Sequence, residues 1–339
     1  ELFEPAADNK VRCTACAQRC LIFEGQRGIC QVRLNRGGQL RAPYGYVAGL
    51  HADPIEKKPF YHVLPGAEAL TFGMLGCNFH CSYCQNWLTT QALRDERAGV
   101  PPQPISAAQI VSTARRTGSR LVISSYNEPL ITAEWAAAIF KLAKQAGLMT
   151  GFVSNGHATP EVLAYLRPMT DCYKVDLKSM RQENYRRLGG QLKHVLWTIE
   201  ALHRQGYWLE VVTLVVPGFN DTTEELREAA RFIAGVSPDI PWHVTAFHKD
   251  YKMRDPDNTP LSTLLRAAEI GAEAGLRYVY VGNVAGRVKR WENTYCPQCH
   301  QLLVARTGFW VEAYHITAEG RCPSCQTPIP GLWWRGERA

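Results

Sequence analysis

The sequence predicts an α/β protein whose central part is an open or closed β/α barrel. Between about residues 69 and 285, apolar stretches typical of buried strands alternate with amphipathic stretches typical of helices. Alternating units of this length imply parallel strands joined by right-handed crossovers. The cysteines give a second observation, because eleven of the twelve fall into three tight groups. One group precedes the barrel, one lies near its first strand, and one follows it.

The elements of the barrel can be taken in chain order. The predicted strands are residues 69–75, 121–126, 150–154, 172–177, 208–216, 242–247 and 278–281. The predicted helices are residues 107–117, 133–146, 160–166, 192–205, 222–233 and 261–274. Thr222 and Glu225 have the spacing of a capped helix start. Polar residues follow most of these strands, and in β/α barrels chemistry gathers at the carboxyl ends of the strands. A ligand site is therefore expected there.

The length and net charge of the chain limit the classes of protein to which it can belong. The 339 residues suit one large domain with small appendages, which we place at residues 1–68, 69–287 and 288–339. The net charge of +7 is spread without a basic tract, so nucleic-acid binding is not indicated. No apolar run approaches a membrane span, and no secretion signal precedes the cysteines. Clustered cysteines in such a chain are typical of metal sites in a reducing compartment, so we predict a cytoplasmic protein that does not bind membranes.

The second cysteine group has the spacing C-x3-C-x2-C, formed by Cys77, Cys81 and Cys84. Three thiolates can hold three irons of a [4Fe–4S] cluster and leave the fourth iron open to a substrate. A zinc knuckle is the alternative, but it needs a fourth ligand, and only His80 is close in sequence.

The first and third groups each contain four cysteines. The first comprises Cys13, Cys16, Cys20 and Cys30, which favour zinc, with an auxiliary iron–sulfur cluster as the alternative. The third comprises Cys296, Cys299, Cys322 and Cys325, in two C-P-x-C knuckles typical of a zinc ribbon. A rubredoxin-like iron site has the same spacing, but His300 and Gln326 stand where glycine usually follows its knuckles. Zinc with a structural role is therefore predicted for the third group.

The cysteine spacing, the preceding strand and Tyr83 resemble the signature of the radical S-adenosylmethionine (SAM) superfamily. Residues 69–285 resemble the core of the pyruvate formate-lyase activating enzyme-like group. The whole chain resembles the radical SAM proteins of the AmmeMemoRadiSam system. This resemblance implies a partial (β/α)6 radical SAM barrel between the two cysteine modules. It also implies a flavodoxin- or ferredoxin-type electron donor and AMMECR-type and Memo-like partner proteins.

The resemblance implies that SAM binds the open iron held by Cys77, Cys81 and Cys84. It assigns cofactor contacts to Tyr83, Asn127, Glu128, Asn155, Asp176, Lys178 and His243. In the family, Glu128 would take the SAM ammonium group, Lys178 its carboxylate, and Tyr83 its adenine. His243 would lie near the ribose and adenine. No catalytic residue is assigned beyond the cluster.

The implied activity is that of an oxidoreductase that cleaves SAM reductively to a 5′-deoxyadenosyl radical. The radical would take a hydrogen from an unidentified small molecule or protein. A glycyl-radical enzyme activase is one alternative, although Tyr126 and Asn127 replace two family glycines and the flanking modules suggest a covered site. We therefore expect a substrate other than a glycyl-radical enzyme. A zinc-bearing nucleic-acid-binding protein is the alternative from another class, suggested by the two four-cysteine modules.

Overall fold

The computed structural model describes residues 1–334 and is built around an eight-stranded sheet. The strands of the central part are β8 (Glu68–Gly73), β9 (Gln103–Pro104), β10 (Leu121–Ser124), β11 (Met149–Ser154), β12 (Cys172–Asp176), β13 (Trp208–Val215), β14 (Trp242–Ala246) and β15 (Val279–Gly282). Apart from β9, these strands pair in parallel. The seven strands predicted from the sequence are therefore all present, each within two residues of its predicted start.

The helices lie between these strands. They are α1 (Trp87–Thr90), α2 (Ala107–Arg116), α3 (Ala133–Gln145), α4 (Pro160–Leu166), α5 (Gln182–Leu188), α6 (Leu192–Arg204), α7 (Thr223–Val236) and α8 (Leu261–Glu273). Short 3-10 turns occupy Ile55–Lys57, Pro129–Thr132, Arg167–Met169 and Lys289–Glu292. All six predicted helices are confirmed, whereas α1 and α5 are not predicted. Thr222 caps α7 by accepting a hydrogen bond from the Glu225 amide, as its spacing indicates.

The core lies between the parallel strands and their helices. Phe140 of α3 packs edge-on against Phe72 of β8 and Phe152 of β11, and all three side chains are buried. The strands are therefore covered by apolar helix faces, as parallel sheets require.

The amino-terminal module adds small antiparallel sheets and one strand of the main sheet. Its strands are β1 (Phe3–Ala6), β2 (Lys10–Cys13), β3 (Leu21–Ile22), β4 (Leu34–Arg36), β5 (Gln39–Arg41), β6 (Tyr46–Val47) and β7 (Gly49–Pro54). β7 pairs antiparallel with β8 and ends the main sheet at that edge. The other edge is β15, so among the described residues the sheet is open. β7 is not among the strands predicted from the sequence.

The carboxyl-terminal module is a three-stranded antiparallel sheet of β16 (Thr294–Tyr295), β17 (Leu302–Thr307) and β18 (Trp310–Tyr314). The stretch between its two cysteine pairs is a hairpin of β17 and β18 that turns at Gly308. Arg306 joins this module to the rest of the chain, because its buried guanidinium donates to the Tyr61 carbonyl at 2.7 Å. Residues 335–339 of the predicted third domain lie outside the described residues.

None of the described helices has the length and the apolar character needed to cross a membrane.

Candidate active site

A cavity of about 450 Å³ opens at the carboxyl ends of the parallel strands. Its walls include all three cysteines of the C-x3-C-x2-C motif, Cys77, Cys81 and Cys84. They also include six of the seven residues predicted to contact the cofactor, namely Tyr83, Asn127, Glu128, Asn155, Asp176 and Lys178. The polar strand ends thus meet at one face, as expected for a barrel of parallel strands.

The cysteine loop leaves β8 and is held by backbone contacts. Arg94 donates to the carbonyl of Cys77 at 2.7 Å and to that of Phe79 at 2.9 Å. The Phe79 amide lies 3.3 Å from the Cys77 sulfur, and the Thr90 hydroxyl lies 3.2 Å from the Cys84 sulfur. These donors suit thiolates, because hydrogen bonds to the sulfurs help to set the potential of an iron–sulfur cluster.

The three sulfurs are too dispersed for one metal ion. Among the described residues, Cys296, Cys299, Cys322 and Cys325 are the one set of three or more potential ligands whose atoms all lie within 4.8 Å of one another. Ligands of a four-iron cluster are farther apart than ligands of one ion, since each sulfur binds a different iron. The motif residues therefore fit a cluster rather than a zinc ion.

Glu128 is a buried carboxylate that already has three donors. It accepts from the Ser154 hydroxyl at 2.7 Å, the Asn155 amide at 2.7 Å and the Leu130 amide at 3.1 Å. The last bond caps the 3-10 turn Pro129–Thr132. Burial raises the pKa of Glu128 to about 7, although these hydrogen bonds oppose the increase. The residue can thus change its charge near neutral pH, and an incoming cation would favour its ionised form.

Asp176 lies between two lysines at the end of β12. One carboxylate oxygen lies 3.2 Å from Lys178 Nζ, and the other is bonded to Lys174. Burial alone would raise the pKa of Asp176, but the two lysines lower it to about 2. The pKa of Lys178 is raised well above its usual value, because Asp176 outweighs the effect of burial. Two cations around one anion leave a positive charge that can attract a carboxylate.

The amides in the cavity connect neighbouring strands. Asn127 accepts from the Met74 amide at 2.9 Å, which ties the end of β10 to the start of the cysteine loop. Asn155 donates to the Asn78 side chain at 2.7 Å. Tyr83 is buried with its ring edge-on to Phe219. These contacts hold the cavity walls in one arrangement.

His243 does not line this cavity. Its Nε2 lies 2.7 Å from a carboxylate oxygen of Glu210, and both side chains are buried. Glu210 also accepts from the amides of Tyr61 and His62. Burial lowers the pKa of His243, although Glu210 opposes this decrease. The structure therefore places His243 in a buried polar network with Glu210, outside the residues that line the cavity.

Several cavity residues were not predicted as ligand contacts. Lys58 donates to the Tyr126 hydroxyl at 3.1 Å and to Asp53 at 3.2 Å, and it brings the amino-terminal connector to the cavity wall. Tyr126 has a positive φ of 68°, a conformation that favours glycine. Phe309, at the turn between β17 and β18, lines the cavity from the opposite module. The sequence signal for Tyr126 is that it stands where the family has a glycine. Nothing in the sequence indicates that Phe309 lines the cavity.

The third cysteine group forms a compact site. The sulfurs of Cys296 and Cys325 lie 3.5 Å apart, and those of Cys299 and Cys322 lie 3.6 Å apart. Four sulfurs bound about 2.3 Å from one ion would lie at similar separations. This group can therefore hold one metal ion.

Comparison with known proteins gives the family. Residues 72–233 match the model of the radical SAM superfamily. An uncharacterised protein of Methanocaldococcus jannaschii is 36% identical over 330 residues, which cover 96% of this chain and 97% of that protein. The pyruvate formate-lyase 1-activating enzyme of Escherichia coli is 26% identical over 193 residues, 55% of this chain and 78% of the enzyme.

One solved structure supports the same fold. A radical SAM methyltransferase from Sphaerobacter thermophilus superposes with a TM-score of 0.51 at 14% identity, over 64% of this chain and 66% of that protein. At 14% identity this likeness concerns the fold alone. The match to the superfamily model and the relative that is 36% identical over nearly the whole chain show that the chain belongs to the radical SAM superfamily, in agreement with the cysteine loop and the cavity described above.

Proposed function

We propose that this protein is a radical SAM enzyme that binds SAM in the cavity at the strand ends. One observation carries the proposal: the three motif cysteines and six predicted SAM contacts line a single cavity. A [4Fe–4S] cluster on Cys77, Cys81 and Cys84 and its bound SAM would supply, after one-electron reduction, methionine and a 5′-deoxyadenosyl radical. The protein's own residues then have to bind, orient and shield the reactants.

The charged residues of the cavity suit the two ends of the methionyl group of SAM. Glu128 would accept the ammonium group, and its ionised form would gain a charge-assisted hydrogen bond. Lys178, with Lys174 behind Asp176, would attract the carboxylate. Tyr83 would contact the adenine. These assignments are those that the family resemblance implies, and the position of each side chain in the cavity wall and the charges of the lysines support them.

The direct test is anaerobic. The full chain, reconstituted with iron and sulfide and then reduced, is incubated with SAM, and 5′-deoxyadenosine and methionine are quantified. We expect both products from the native chain and none from Cys77→Ala, Cys81→Ala or Cys84→Ala. Cys172→Ala is the matched control, because Cys172 is buried in β12 outside the three groups. Full product formation by any motif variant would refute the proposal.

The substrate is proposed to be a small molecule or a segment presented by a partner, rather than a glycyl-radical enzyme. Lys58 and Pro59 of the amino-terminal module and Phe309 of the carboxyl-terminal module all line the cavity, so both outer modules cover part of it. The activase alternative is favoured by the similarity to the E. coli activating enzyme. The two alternatives can be distinguished by mixing the reduced protein and SAM with candidate glycyl-radical enzymes and recording electron paramagnetic resonance spectra. A stoichiometric glycyl doublet would favour the activase.

The remaining expectations follow from the resemblance and stay proposals. They are membership of the AmmeMemoRadiSam group, a flavodoxin- or ferredoxin-type electron donor, AMMECR-type and Memo-like partners, and a cytoplasmic location. The nucleic-acid-binding alternative gains no support, because the superfamily is enzymatic. Pull-down of the tagged chain under anaerobic conditions would test the partners.

A further inference from the structure

The four amino-terminal cysteines surround a second, much smaller cavity. Cys13, Cys16, Cys20 and Cys30 all line it. It is just large enough to admit a water-sized sphere between the thiols. Cys13, Cys16 and Cys30 are buried, and Cys20 is partly exposed. The four thiols thus face an enclosed space rather than one another.

The spacing of these thiols does not suit a single ion. In a four-thiolate zinc site each sulfur is about 2.3 Å from the metal, so the four sulfurs are nearly in contact with one another. The carboxyl-terminal cysteines meet that requirement, with all four sulfurs within 4.8 Å of one another. Among the described residues no three of the amino-terminal sulfurs do so. An iron–sulfur cluster is larger than a single metal ion, and its separate irons each bind one or two cysteine sulfurs. Sulfurs that are farther apart than the ligands of one ion fit such a cluster.

Two buried N–H groups at this cavity lack a protein partner. Arg33 bonds Glu134 at 2.6 and 2.9 Å and the Ile131 carbonyl at 3.0 Å, but its Nε has no partner among the described atoms. The Nδ2 of Asn78 is likewise buried without an acceptor. Both residues line the cavity. Unpaired buried donors are costly, and the sulfides of an iron–sulfur cluster would accept from them.

We infer that Cys13, Cys16, Cys20 and Cys30 hold an iron–sulfur cluster that the protein ligates completely. A cluster with four cysteine ligands has no open iron, so its chemistry is electron transfer. The sequence leaves zinc and an iron–sulfur cluster open for this group, and the inference favours the cluster.

The site lies directly behind the cysteine loop of the active site. Asn78 follows Cys77 in the chain and also lines the amino-terminal cavity. Arg94 donates to the carbonyls of both Ile29 and Cys77. A Cβ added to Gly76 would lie 3.0 Å from the Cys30 carbonyl, which shows how closely the two loops pack. The two metal sites are therefore neighbours.

This position makes the cluster an electron relay, a role that rests on the proposed function. One electron from a reduced flavodoxin- or ferredoxin-type protein would reduce the four-cysteine cluster. The same electron would then pass to the centre at Cys77, Cys81 and Cys84, which reoxidises the relay. The sulfonium of SAM is the final acceptor. One electron thus enters and one leaves for each SAM cleaved.

The test measures the metal content of the amino-terminal site in a variant that lacks the active-site cluster. The full chain with Cys77, Cys81 and Cys84 all replaced by alanine is prepared anaerobically, and iron, zinc and acid-labile sulfide are measured. We expect iron and sulfide in equal amounts, and a paramagnetic signal after reduction. Two equivalents of zinc per chain without sulfide, or no metal beyond the carboxyl-terminal ion, would overturn the inference. Because SAM cleavage is not measured, failure of the proposed function does not change this reading.

A complementary variant guards against loss of folding. The double variant Cys16→Ala with Cys30→Ala should retain the active-site cluster but lose the iron and sulfide of the amino-terminal cluster. We also expect this variant to cleave SAM with dithionite, a small chemical reductant, and to be at least tenfold slower with the protein electron donor. Unchanged iron and sulfide content would contradict the assignment of the ligands, and equal rates with both donors would contradict the relay.

Discussion

At the scale of single residues, Glu128 shows how one side chain can serve structure and chemistry together. Its three donors come from a strand end, a loop amide and a 3-10 turn. They hold the carboxylate in place, while burial keeps its pKa near 7. The sequence identifies this residue by its position after β10, but the pKa depends on burial, which only the fold determines.

Glu128→Gln should weaken SAM binding by about ten- to hundredfold, because a lost charge-assisted bond costs about 1.5–3 kcal/mol. In the native protein, SAM affinity should also fall by up to about tenfold per pH unit below pH 7. The sign follows from the pKa: SAM favours ionised Glu128, which becomes protonated as the pH falls. Calorimetric titration from pH 5.5 to 8.5 measures both effects.

Glu200→Gln is the control for this experiment, since Glu200 is exposed on α6. The control should bind SAM as the native chain does, and Glu128→Gln should lose the pH dependence. Native-like affinity of Glu128→Gln at pH 8 would show that Glu128 does not contact SAM.

His243 marks the limit of sequence inference at this scale. His243 and Thr245 occupy the same face of β14, but only Thr245 lines the cavity. The two residues are about 6.6 Å apart along the strand. Glu210, from the neighbouring strand β13, pairs with His243. His243 is level with Val212 of β13, which does line the cavity, so the bond to Glu210 rather than the strand register accounts for its absence from the lining. A motif gives the strand and the face of a residue, but not the partner that its side chain takes.

At the scale of secondary structure, the parallel strands could be predicted because each is a buried apolar run. β7 could not, because its residues are partly exposed and it contains Pro54. Its pairing with β8 comes from long-range contact rather than local pattern. In the sequence the hairpin of β17 and β18 likewise looks like a single apolar stretch, because only Gly308 marks its turn.

Gly73→Ala should destabilise the end of β8 by about 1–3 kcal/mol, as expected when a packed site is overfilled. The added Cβ would lie 2.6 Å from the Ser125 carbonyl and 2.8 Å from the Tyr126 Cβ. Because the cysteine loop begins four residues later, we also expect less bound iron. Gly99→Ala, where nothing lies within 4 Å, is the control. Urea unfolding and iron analysis would check this, and native stability and iron content would contradict it.

The carboxyl-terminal knuckles are expected to bind zinc with a structural role. His300 and Gln326 have positive φ values of 59° and 61°, so they adopt the backbone conformation usual for glycine. The missing glycines therefore do not exclude iron, and the metal has to be measured. Cys299→Ala with Cys325→Ala should remove one zinc per chain and leave the iron content unchanged. Loss of iron with a reversible red-to-colourless signal would indicate a rubredoxin-like site instead.

At the scale of the whole molecule, both outer modules contribute residues to the wall of the active-site cavity. Lys58 lies 4.7 Å from the centre of the Tyr126 ring on one side. Phe309 approaches from the other module. The sequence suggests a covered site from both flanking modules but indicates a position near the cavity only for the first, since composition cannot show how a separate module docks. The docking depends on buried polar groups such as Arg306, whose partners are far away in the chain.

Arg306→Met should destabilise the protein by about 3–5 kcal/mol, because it leaves Glu56 as a buried charge without its cation. The guanidinium lies 3.4 Å from Glu56 and also bonds the Tyr61 carbonyl and the Thr294 hydroxyl. Burial raises the pKa of Glu56, and Arg306 opposes this increase. Without Arg306 the pKa should rise further, so the loss of stability should shrink at low pH, where Glu56 is protonated. Urea unfolding at pH 5 and 8 measures this difference. Adding Glu56→Gln should restore part of the stability at pH 8, and an equal loss at both pH values in Arg306→Met would refute the uncompensated charge as its cause.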